Sequence, residues 1–175
     1  MILIAAVGTG RVIGSGDGMP WNVPEEYAHF LSLIKGQTVL MGRRSWQIFG
    51  DNLTSARNIV ISRSATDIAG ATVAHSLEAG IELGRSYGKT LFCAGGAVVY
   101  AQALPHADAM CLSFIKGEFS GDAYFPEFDD SDWTIEKRED HPRFEYVVYR
   151  RQAPPRKTRI IPENPAGGAE SADLA

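Results

Sequence analysis

Residues 14–30 read GSGDGMPWNVPEEYAHF and join a glycine-rich loop to the first turns of a helix. The loop runs into Met19-Pro20-Trp21, and a second proline marks the first helical position, where its missing N–H is not needed. Glu26, Phe30 and Leu33 are spaced i, i+4, i+7, so they share one helix face. A carboxylate beside an apolar stripe and under a glycine loop can be a desolvated acid in a pocket. Such an acid can hold a polar heterocycle and manage a proton.

An acid in the first turn of a helix also has a structural explanation, because it complements the positive end of the helix dipole. We expect Glu25 to have only that role. Glu26 differs because it shares a face with Phe30, which favours a functional interpretation. The spacing alone leaves both interpretations of Glu26 open.

The composition favours one domain with a sizeable core, since the chain has 175 residues and 45% of them are hydrophobic. The formal net charge is -4 and no basic block stands out, so nucleic acid and anionic membranes are poor candidate partners. Residues 1–7 are apolar but lack a basic flank and stop at Gly8. They predict a buried first strand and not a signal peptide, and we expect a cytoplasmic protein.

The cysteines and histidines predict no metal site. Cys93 and Cys111 each lie in an apolar run and are expected to be buried thiols. The four histidines, at positions 29, 75, 106 and 141, show no ligand spacing, and we expect them to be surface or satisfied groups. No nucleophile motif of the serine or cysteine hydrolases is present.

Short apolar runs alternate with helical segments along the chain. Repeated strand-helix-strand units predict a largely parallel sheet covered on both faces, with ligands at the carboxyl ends of its strands. The predicted strands are residues 2–7, 38–41, 58–61, 90–94 and 110–115, with a closing antiparallel pair at 134–139 and 146–150. The predicted helices are residues 24–34, 45–49, 97–104 and a segment capped by Ser76 that carries Leu77, Gly80, Ile81 and Gly84 on one face.

The composition changes after residue 152. Residues 153–175 hold four prolines, a glycine pair and many small residues, which predicts a disordered tail. The predicted folded domain is therefore residues 1–152.

Two predicted strand ends carry anion-binding residues. Met41-Gly42-Arg43-Arg44-Ser45 combines a glycine turn, a serine that can cap a helix and two cations, and Ser62-Arg63-Ser64 follows the next strand. Two basic strand ends suggest a dinucleotide with an extra ribose phosphate, hence NADP and not NAD. The same residues are also compatible with surface arginines and an ordinary capped helix. A third glycine turn, at residues 94–97, is compatible with nucleotide binding or with close helix–strand packing.

Taken together, these motifs resemble the dihydrofolate reductase family over about residues 1–152, in the same order along the chain. Seven motifs carry the resemblance: Ile4-Ala5-Ala6, Val12-Ile13-Gly14, Met19-Pro20-Trp21-Asn22, Glu26 with Phe30, Met41-Gly42-Arg43, Gly95-Gly96 with Val99-Tyr100, and Gly121-Asp122 with Phe125-Pro126.

The resemblance implies a single α/β domain with a central eight-stranded, mostly parallel sheet, an antiparallel C-terminal strand and flanking helices. It implies NADPH as cofactor and reduction of 7,8-dihydrofolate to 5,6,7,8-tetrahydrofolate, a reaction that supplies one-carbon metabolism and thymidylate synthesis. Hydride would pass from nicotinamide C4 to pterin C6, while Glu26 binds the pterin and promotes protonation of N5. We expect a monomer with a small-molecule substrate.

The resemblance also assigns residues. The catalytic residues would be Glu26, Trp21, Ser113 and Tyr100, with Trp21 and Ser113 holding an ordered water and the Glu26 carboxylate. The substrate would contact Ile4, Ala5, Glu26, Tyr27, Phe30, Phe49, Leu53 and Arg57. The cofactor would contact Ala6, Ile13, Gly14, Met19, Gly42, Arg43, Arg44, Ser45, Ser62, Arg63, Gly95, Gly96, Ala97, Val98, Val99 and Tyr100. The Gly95–Gly96 peptide would be cis, and Asp122 would brace the Gly14–Met19 loop.

Three positions depart from the family pattern. Ala56 stands where the family usually has an arginine that grips the folate glutamate, although Arg57 next to it restores the contact if the register slips by one residue. Tyr27 is bulkier and more polar than the usual residue, and Val98 replaces a basic cofactor contact. Two alternatives therefore stay open: a reductase of the same fold for a tail-less pterin or a pyrimidine of flavin synthesis, and a non-catalytic NADP-binding module.

Overall fold

The computed structural model describes residues 1–152, and the predicted tail at residues 153–175 lies outside the described residues. The strands are β1 (Ile2–Val7), β2 (Val12–Gly14), β3 (Thr38–Gly42), β4 (Arg57–Ile61), β5 (Thr72–Ala74), β6 (Leu91–Cys93), β7 (Ala109–Ile115), β8 (Ala123–Tyr124), β9 (Trp133–Asp140) and β10 (Phe144–Arg151). The α-helices are α1 (Pro24–Ile34), α2 (Arg43–Phe49), α3 (Leu77–Ser86) and α4 (Ala97–Ala103).

Eight of these strands form one sheet in the order β5-β4-β3-β6-β1-β7-β10-β9. Neighbouring strands are parallel throughout the part β5-β4-β3-β6-β1-β7 of this order, and β10 is antiparallel to both of its neighbours, β7 and β9. The predicted α/β domain with an eight-stranded, mostly parallel sheet and an antiparallel C-terminal strand is therefore confirmed. β2 and β8 form a separate two-stranded sheet beside it.

The sheet has an apolar core on each face. One core lies under α3 and α4 and includes Leu40, Ile59 and Leu91. The other lies under α1 and includes Ile4, Met41 and Ile34. Because successive strand residues point to opposite faces, the apolar runs of β1 and β3 serve both cores at once. Both cysteines are buried as expected, Cys93 in the first core and Cys111 in the second.

Helix α3 confirms the prediction made from its serine and glycines. Ser76 is the N-cap, and its side chain accepts a hydrogen bond from the Ala79 N–H at 3.1 Å. A Cβ at Gly84 would lie 2.7 Å and 2.8 Å from the two terminal carbons of Leu91. The helix can therefore lie this close to the sheet only because glycine occupies the contact.

Several details differ from the sequence-based expectations. Helix α2 begins at Arg43 after a Gly42 N-cap, so Ser45 lies inside the helix and does not cap it. The short strands β2, β5 and β8 were not predicted, because runs of two or three residues show no usable alternation.

Two histidines also differ from expectation, since they are partly buried and not satisfied within the described residues. The Nε2 atoms of His29 and His141 are buried without a hydrogen-bond partner in residues 1–152.

No helix in residues 1–152 has the length and apolar character needed to cross a membrane.

Candidate active site

Glu26 lies in the first turn of α1 and is only 5% exposed. Its neighbour Glu25 has the opposite environment: the carboxylate accepts two hydrogen bonds from the Arg143 guanidinium, each at 2.5 Å, at the protein surface. The structure thus separates two adjacent acids, as the helix face predicted. Glu25 is paired and solvated, whereas Glu26 faces the interior.

Burial raises the pKa of Glu26 to about 6 from 4.5, because removing the carboxylate from water disfavours its charged form. The Ser113 hydroxyl opposes this shift by hydrogen bonding to the charged carboxylate. Ser113 belongs to β7 and is itself buried, beside Ala6 of β1 in the register. The site therefore holds an acid that gains and loses its proton close to neutral pH.

Tyr100 of α4 completes the buried end of the site. Its hydroxyl donates a hydrogen bond to the Ile4 carbonyl at 2.6 Å, which ties the helix to the middle of β1. Burial raises its pKa, and the nearby Glu26 carboxylate raises it further. Gly95 has φ of +96°, and a Cβ there would lie 2.8 Å from the Tyr100 ring, so glycine is needed at this position.

The peptide between Gly95 and Gly96 is cis, as the family resemblance implied. The Gly95 carbonyl accepts a hydrogen bond from the Gly42 N–H at 2.7 Å, so the turn after β6 is joined to the end of β3. This junction places the glycine turn and the start of α2 side by side.

Two adjoining cavities meet at this junction. The first is mostly apolar and is lined by Ile4, Ala5, Ala6, Ile13, Met19, Glu26, Tyr27, Phe30, Met41, Ser45, Phe49, Ala94, Gly95, Gly96 and Tyr100. The second is lined by Ile13, Gly14, Gly16, Gly18, Gly42, Arg43, Arg44, Ser45, Ile48, Phe49, Gly96, Ala97, Val98, Val99, Asp122 and Ala123. They share the walls formed by Ile13, Ser45, Phe49 and Gly96.

Most residues assigned from the sequence lie in these cavities. Every residue assigned to the substrate except Leu53 and Arg57 lines the first, and most residues assigned to the cofactor line the second. Ala6, Met19, Gly95 and Tyr100 line the first cavity although they were assigned to the cofactor. Trp21, Ser62, Arg63 and Ser113 line neither cavity.

The loop between β2 and α1 is held from two sides. The Asp122 carboxylate accepts a hydrogen bond from the Gly16 N–H at 3.3 Å, as expected for a residue that braces this loop. From the other side, the Arg44 guanidinium donates to the Gly16 carbonyl at 3.0 Å and to the Asp17 carboxylate at 3.2 Å. A Cβ at Gly121 would lie only 2.1 Å from the Gly14 oxygen, so this backbone approach needs glycine.

Arg57 does not reach the first cavity. Its guanidinium lies over the Tyr87 ring, 5.4 Å from the ring centroid. Tyr87 follows α3 and packs against the core that contains Ile59, so Arg57 points to the face opposite α1. The structure therefore does not show the one-residue shift in register that would bring Arg57 to the substrate side.

Sequence reasoning missed some of the lining residues. Met41 and Ala94 line the first cavity, and Ile48 lines the second. Met41 and Ala94 lie at or just after the carboxyl ends of parallel strands, where ligands bind, and this position in the sequence could have identified them. Ile48 had no such signal, because its position depends on how α2 crosses the sheet edge.

Trp21 packs against the core under α1 and does not line the first cavity. Its indole packs edge-on against Phe119 with ring centroids 5.5 Å apart, and its Nε1 is buried without a partner among residues 1–152. A buried indole N–H usually has an acceptor, so this donor is available for one.

Comparison with known proteins gives a consistent result. The sequence profile described as "Dihydrofolate reductase" matches residues 1–152. The dihydrofolate reductase of Bacillus subtilis (strain 168) is 32% identical over 157 residues, which cover 85% of this chain and 93% of that protein. The dihydrofolate reductase type A13 of Escherichia coli is 38% identical over 134 residues, covering 76% of this chain and 81% of that protein.

A solved structure agrees with these relatives. The structure "Dihydrofolate reductase from Enterococcus faecalis complexed with NADP(H) and RAB-propyl" superposes with a TM-score of 0.78 at 26% identity, covering 87% of this chain and 96% of that one. The profile match, the curated relatives and the shared fold all agree, and the chain belongs to the dihydrofolate reductase family.

Proposed function

We propose that this protein reduces 7,8-dihydrofolate to 5,6,7,8-tetrahydrofolate with NADPH, and that Glu26 holds the pterin and promotes protonation of its N5. The observation that carries the proposal is a buried carboxylate at the end of an apolar cavity that adjoins a cleft with glycines and arginines. Such a pair of spaces suits a planar heterocycle in one and a phosphorylated dinucleotide in the other.

The second cavity fits NADPH. Arg43 and Arg44 supply the positive charge that phosphates need, and the backbone of Gly42 and Gly96 supplies a surface of close approach. A Cβ at Gly42 would meet Val99 at 3.2 Å, and one at Gly96 would meet the Ser45 hydroxyl at 3.1 Å, so side chains would narrow this cradle. The Enterococcus faecalis relative is described as complexed with NADP(H). When bound, NADPH supplies a hydride from its nicotinamide C4 to C6 of the pterin.

Glu26 accounts for binding of the pterin. A carboxylate that is only 5% exposed is costly, and the 2-amino and N3–H donors of a pterin offer hydrogen bonds to both of its oxygens. Ser113 keeps the carboxylate oriented from the β7 side. The negative charge beside the ring raises the basicity of the ring system, which favours a proton on N5.

Trp21 and the loop that contains Met19 supply the proton path. The Trp21 Nε1 donor has no partner in residues 1–152 and is assigned to a water next to the pterin. The loop braced by Asp122 then covers the cavity, keeps bulk water out and controls product release. Tyr100 is assigned to the nicotinamide side, because its ring packs on the Gly95 turn beside Glu26.

We also propose that the protein acts as a cytoplasmic monomer on a small molecule, without nucleic acid or membrane as a partner. The net charge of -4 and the dispersed basic residues support this assignment. Light scattering after size exclusion gives the mass directly, and a dimer would contradict it.

The test is NADPH oxidation with dihydrofolate by the wild type and by Glu26→Gln. We expect wild-type turnover that declines as the pH rises, because N5 must gain a proton for the reduction. We expect its apparent pKa to lie above the 4.5 of a free glutamate, because the charge of Glu26 in an apolar pocket raises the basicity of the ring system. Glu26→Gln should fall by orders of magnitude at neutral pH and lose that pH dependence. NADPH binding, followed by fluorescence, serves as the control and should remain. Wild type that binds NADPH but does not oxidise it with dihydrofolate would favour the non-catalytic alternative.

A further inference from the structure

The loop at residues 15–19 borders both cavities. Gly16 and Gly18 line the second cavity, whereas Met19 lines the first. A change in the position of this loop therefore alters the walls of both cavities at once. Asp17 lies between the two glycines, and its side chain is 90% exposed.

The two arginines at the start of α2 differ in their partners. Arg43 makes no ion pair among residues 1–152. Arg44 donates to the Gly16 carbonyl at 3.0 Å and to the Asp17 carboxylate at 3.2 Å. Both arginines line the second cavity, where the dinucleotide is proposed to bind. One of the two cations of this cleft is therefore already paired with an anion of the protein itself.

A carboxylate and a phosphate are chemically alike as partners for Arg44, because both accept charge-assisted hydrogen bonds from a guanidinium. The contacts to the loop use only the Nη2 atom of Arg44, so its remaining N–H groups have no partner among residues 1–152. A phosphate that accepts from these groups would still lie beside the charge of Asp17, and like charges repel. A phosphate on Arg44 and the ion pair with Asp17 therefore disfavour each other, whichever N–H groups the phosphate uses.

The ion pair is exposed enough to be exchanged. The side chains of Arg44 and Asp17 are 71% and 90% exposed, so water and salt screen their attraction. The other anchor of the loop is separate, since the Gly16 N–H donates to the Asp122 carboxylate at 3.3 Å. Loss of the Arg44 contacts would therefore release the loop from α2 and leave it attached to Asp122.

We propose that Asp17 is a positioning residue, which pairs with Arg44 in the ligand-free protein and releases Arg44 to a phosphate when the cofactor binds. The inference rests on the proposed function, because it takes the second cavity as the site of NADPH. Coupling between two equilibria is reciprocal, so the ion pair lowers the affinity for NADPH by the factor by which NADPH weakens the pair. Occupation of the second cavity thereby changes how the loop that carries Met19 is held beside the first cavity.

NADPH binding, followed by fluorescence, tests the competition. We expect Asp17→Asn to bind NADPH about two- to fivefold more tightly than wild type, which is the range for one exposed ion pair. Asp17→Glu keeps the charge and should bind within about twofold of wild type. Asp51→Asn is the matched control, because it removes an exposed acid just after α2 that has no ion pair among residues 1–152, and it should bind as wild type does.

The same substitution in two arginine backgrounds identifies the partner of Asp17. In the Arg44→Gln background, Asp17→Asn should no longer tighten the binding of NADPH, whereas in the Arg43→Gln background the gain should persist. Equal gains in the two backgrounds would overturn the inference, because Asp17 would then act through the general charge of the cleft. The absence of any gain in the protein with both arginines would overturn it as well.

Hydrogen exchange at residues 14–19 gives a readout that does not depend on affinity. In the ligand-free state, the amides of Asp17→Asn should be less protected than those of wild type, because the loop has lost a contact with α2. With NADPH at saturation, the two proteins should be equally protected, since the pair is then broken in wild type too. A difference that persists with NADPH bound would overturn the inference.

Neither measurement needs turnover, which separates this inference from the proposed function. A protein that shows the competition but does not reduce dihydrofolate supports the inference, and the proposed function then fails alone. A protein that reduces dihydrofolate but shows no coupling between Asp17 and Arg44 overturns the inference alone. A protein that does not bind NADPH would overturn both.

Discussion

Two adjacent glutamates show how strongly position decides the chemistry of a side chain. Glu25 and Glu26 have identical side chains, and both lie in the first turn of α1 near the positive end of the helix dipole. Successive helix residues point about 100° apart around the axis, so one carboxylate lies in water and the other in a cavity. The guanidinium of Arg143 lowers the pKa of Glu25, whereas burial raises that of Glu26. This contrast supports the role proposed for Glu26, because a carboxylate buried away from water costs free energy that the fold itself does not require.

The raised pKa of Glu26 predicts a cost in stability of the ligand-free protein. The folded state holds the proton more tightly than the unfolded state between pH 4.5 and about 6, so the free energy of unfolding falls as the pH rises through that window. The shift corresponds to about 2 kcal/mol at neutral pH. We expect Glu26→Gln to be more stable than wild type by an amount of that order, measured by urea unfolding at pH 7.

The matched control is Glu25→Gln, for which the sign reverses. Because the pKa of Glu25 is lowered in the folded state, its carboxylate stabilises the fold at pH values above its pKa in the unfolded chain, and that contribution is lost as the pH falls. Glu25→Gln should therefore be slightly less stable than wild type at neutral pH. An increase in stability for both variants, or for neither, would show that burial of Glu26 does not set its pKa.

At the scale of single elements, α3 is positioned by its glycines. Gly80 and Gly84 lie on the face that meets the sheet, against Leu40 and Leu91. Glycine weakens a helix by roughly 0.5–1 kcal/mol relative to alanine, so its presence at both contacts needs a reason. The reason is the short distance between helix and sheet, which leaves no room for a Cβ at either position.

Gly84→Ala should therefore destabilise the protein although alanine is the better helix former. The new Cβ would meet both terminal carbons of Leu91 within 3 Å, and Leu91 is buried, so its side chain would have to shift within the core. We expect a net loss of about 1–2 kcal/mol in the free energy of unfolding. Glu82→Ala, on the exposed face of the same helix, should change it by less than about 0.5 kcal/mol. A gain in stability at Gly84 would mean that the helix can move away from the sheet at little cost.

At the scale of the whole molecule, the sequence predicts the sheet well because its strands are buried on both faces and appear as continuous apolar runs. β1, β3 and β7 are examples, and the glycine turns at the ends of β3 and β6 locate the two cavities. β5 and the β2–β8 pair were not predictable, because two or three residues carry no period and their pairing is set by distant parts of the chain. The direction of Arg57 was also beyond the sequence, since a shift of one residue in register exchanges the two faces of a strand.

The described domain also has a well-anchored end, which predicts what truncation does. The Arg151 guanidinium lies 4.2 Å from the centroid of the Trp133 ring and donates to the carbonyls of Leu104 at 2.6 Å and Ala107 at 2.7 Å. The Gln152 N–H donates to the Asp132 carbonyl at 2.8 Å. These contacts close the edge formed by β9 and β10, and they belong entirely to residues 1–152.

A chain that ends after Gln152 should therefore keep its activity within about threefold and its free energy of unfolding within about 0.5 kcal/mol. A chain that ends after Arg150 is the matched control and should lose roughly 2 kcal/mol or more, because the Leu104 and Ala107 carbonyls lose a charged donor. Urea unfolding and NADPH oxidation on both chains give the comparison. If the chain that ends after Gln152 also loses activity, then residues 153–175 contribute to the site, and the active domain extends beyond the residues that form its sheet and two cavities.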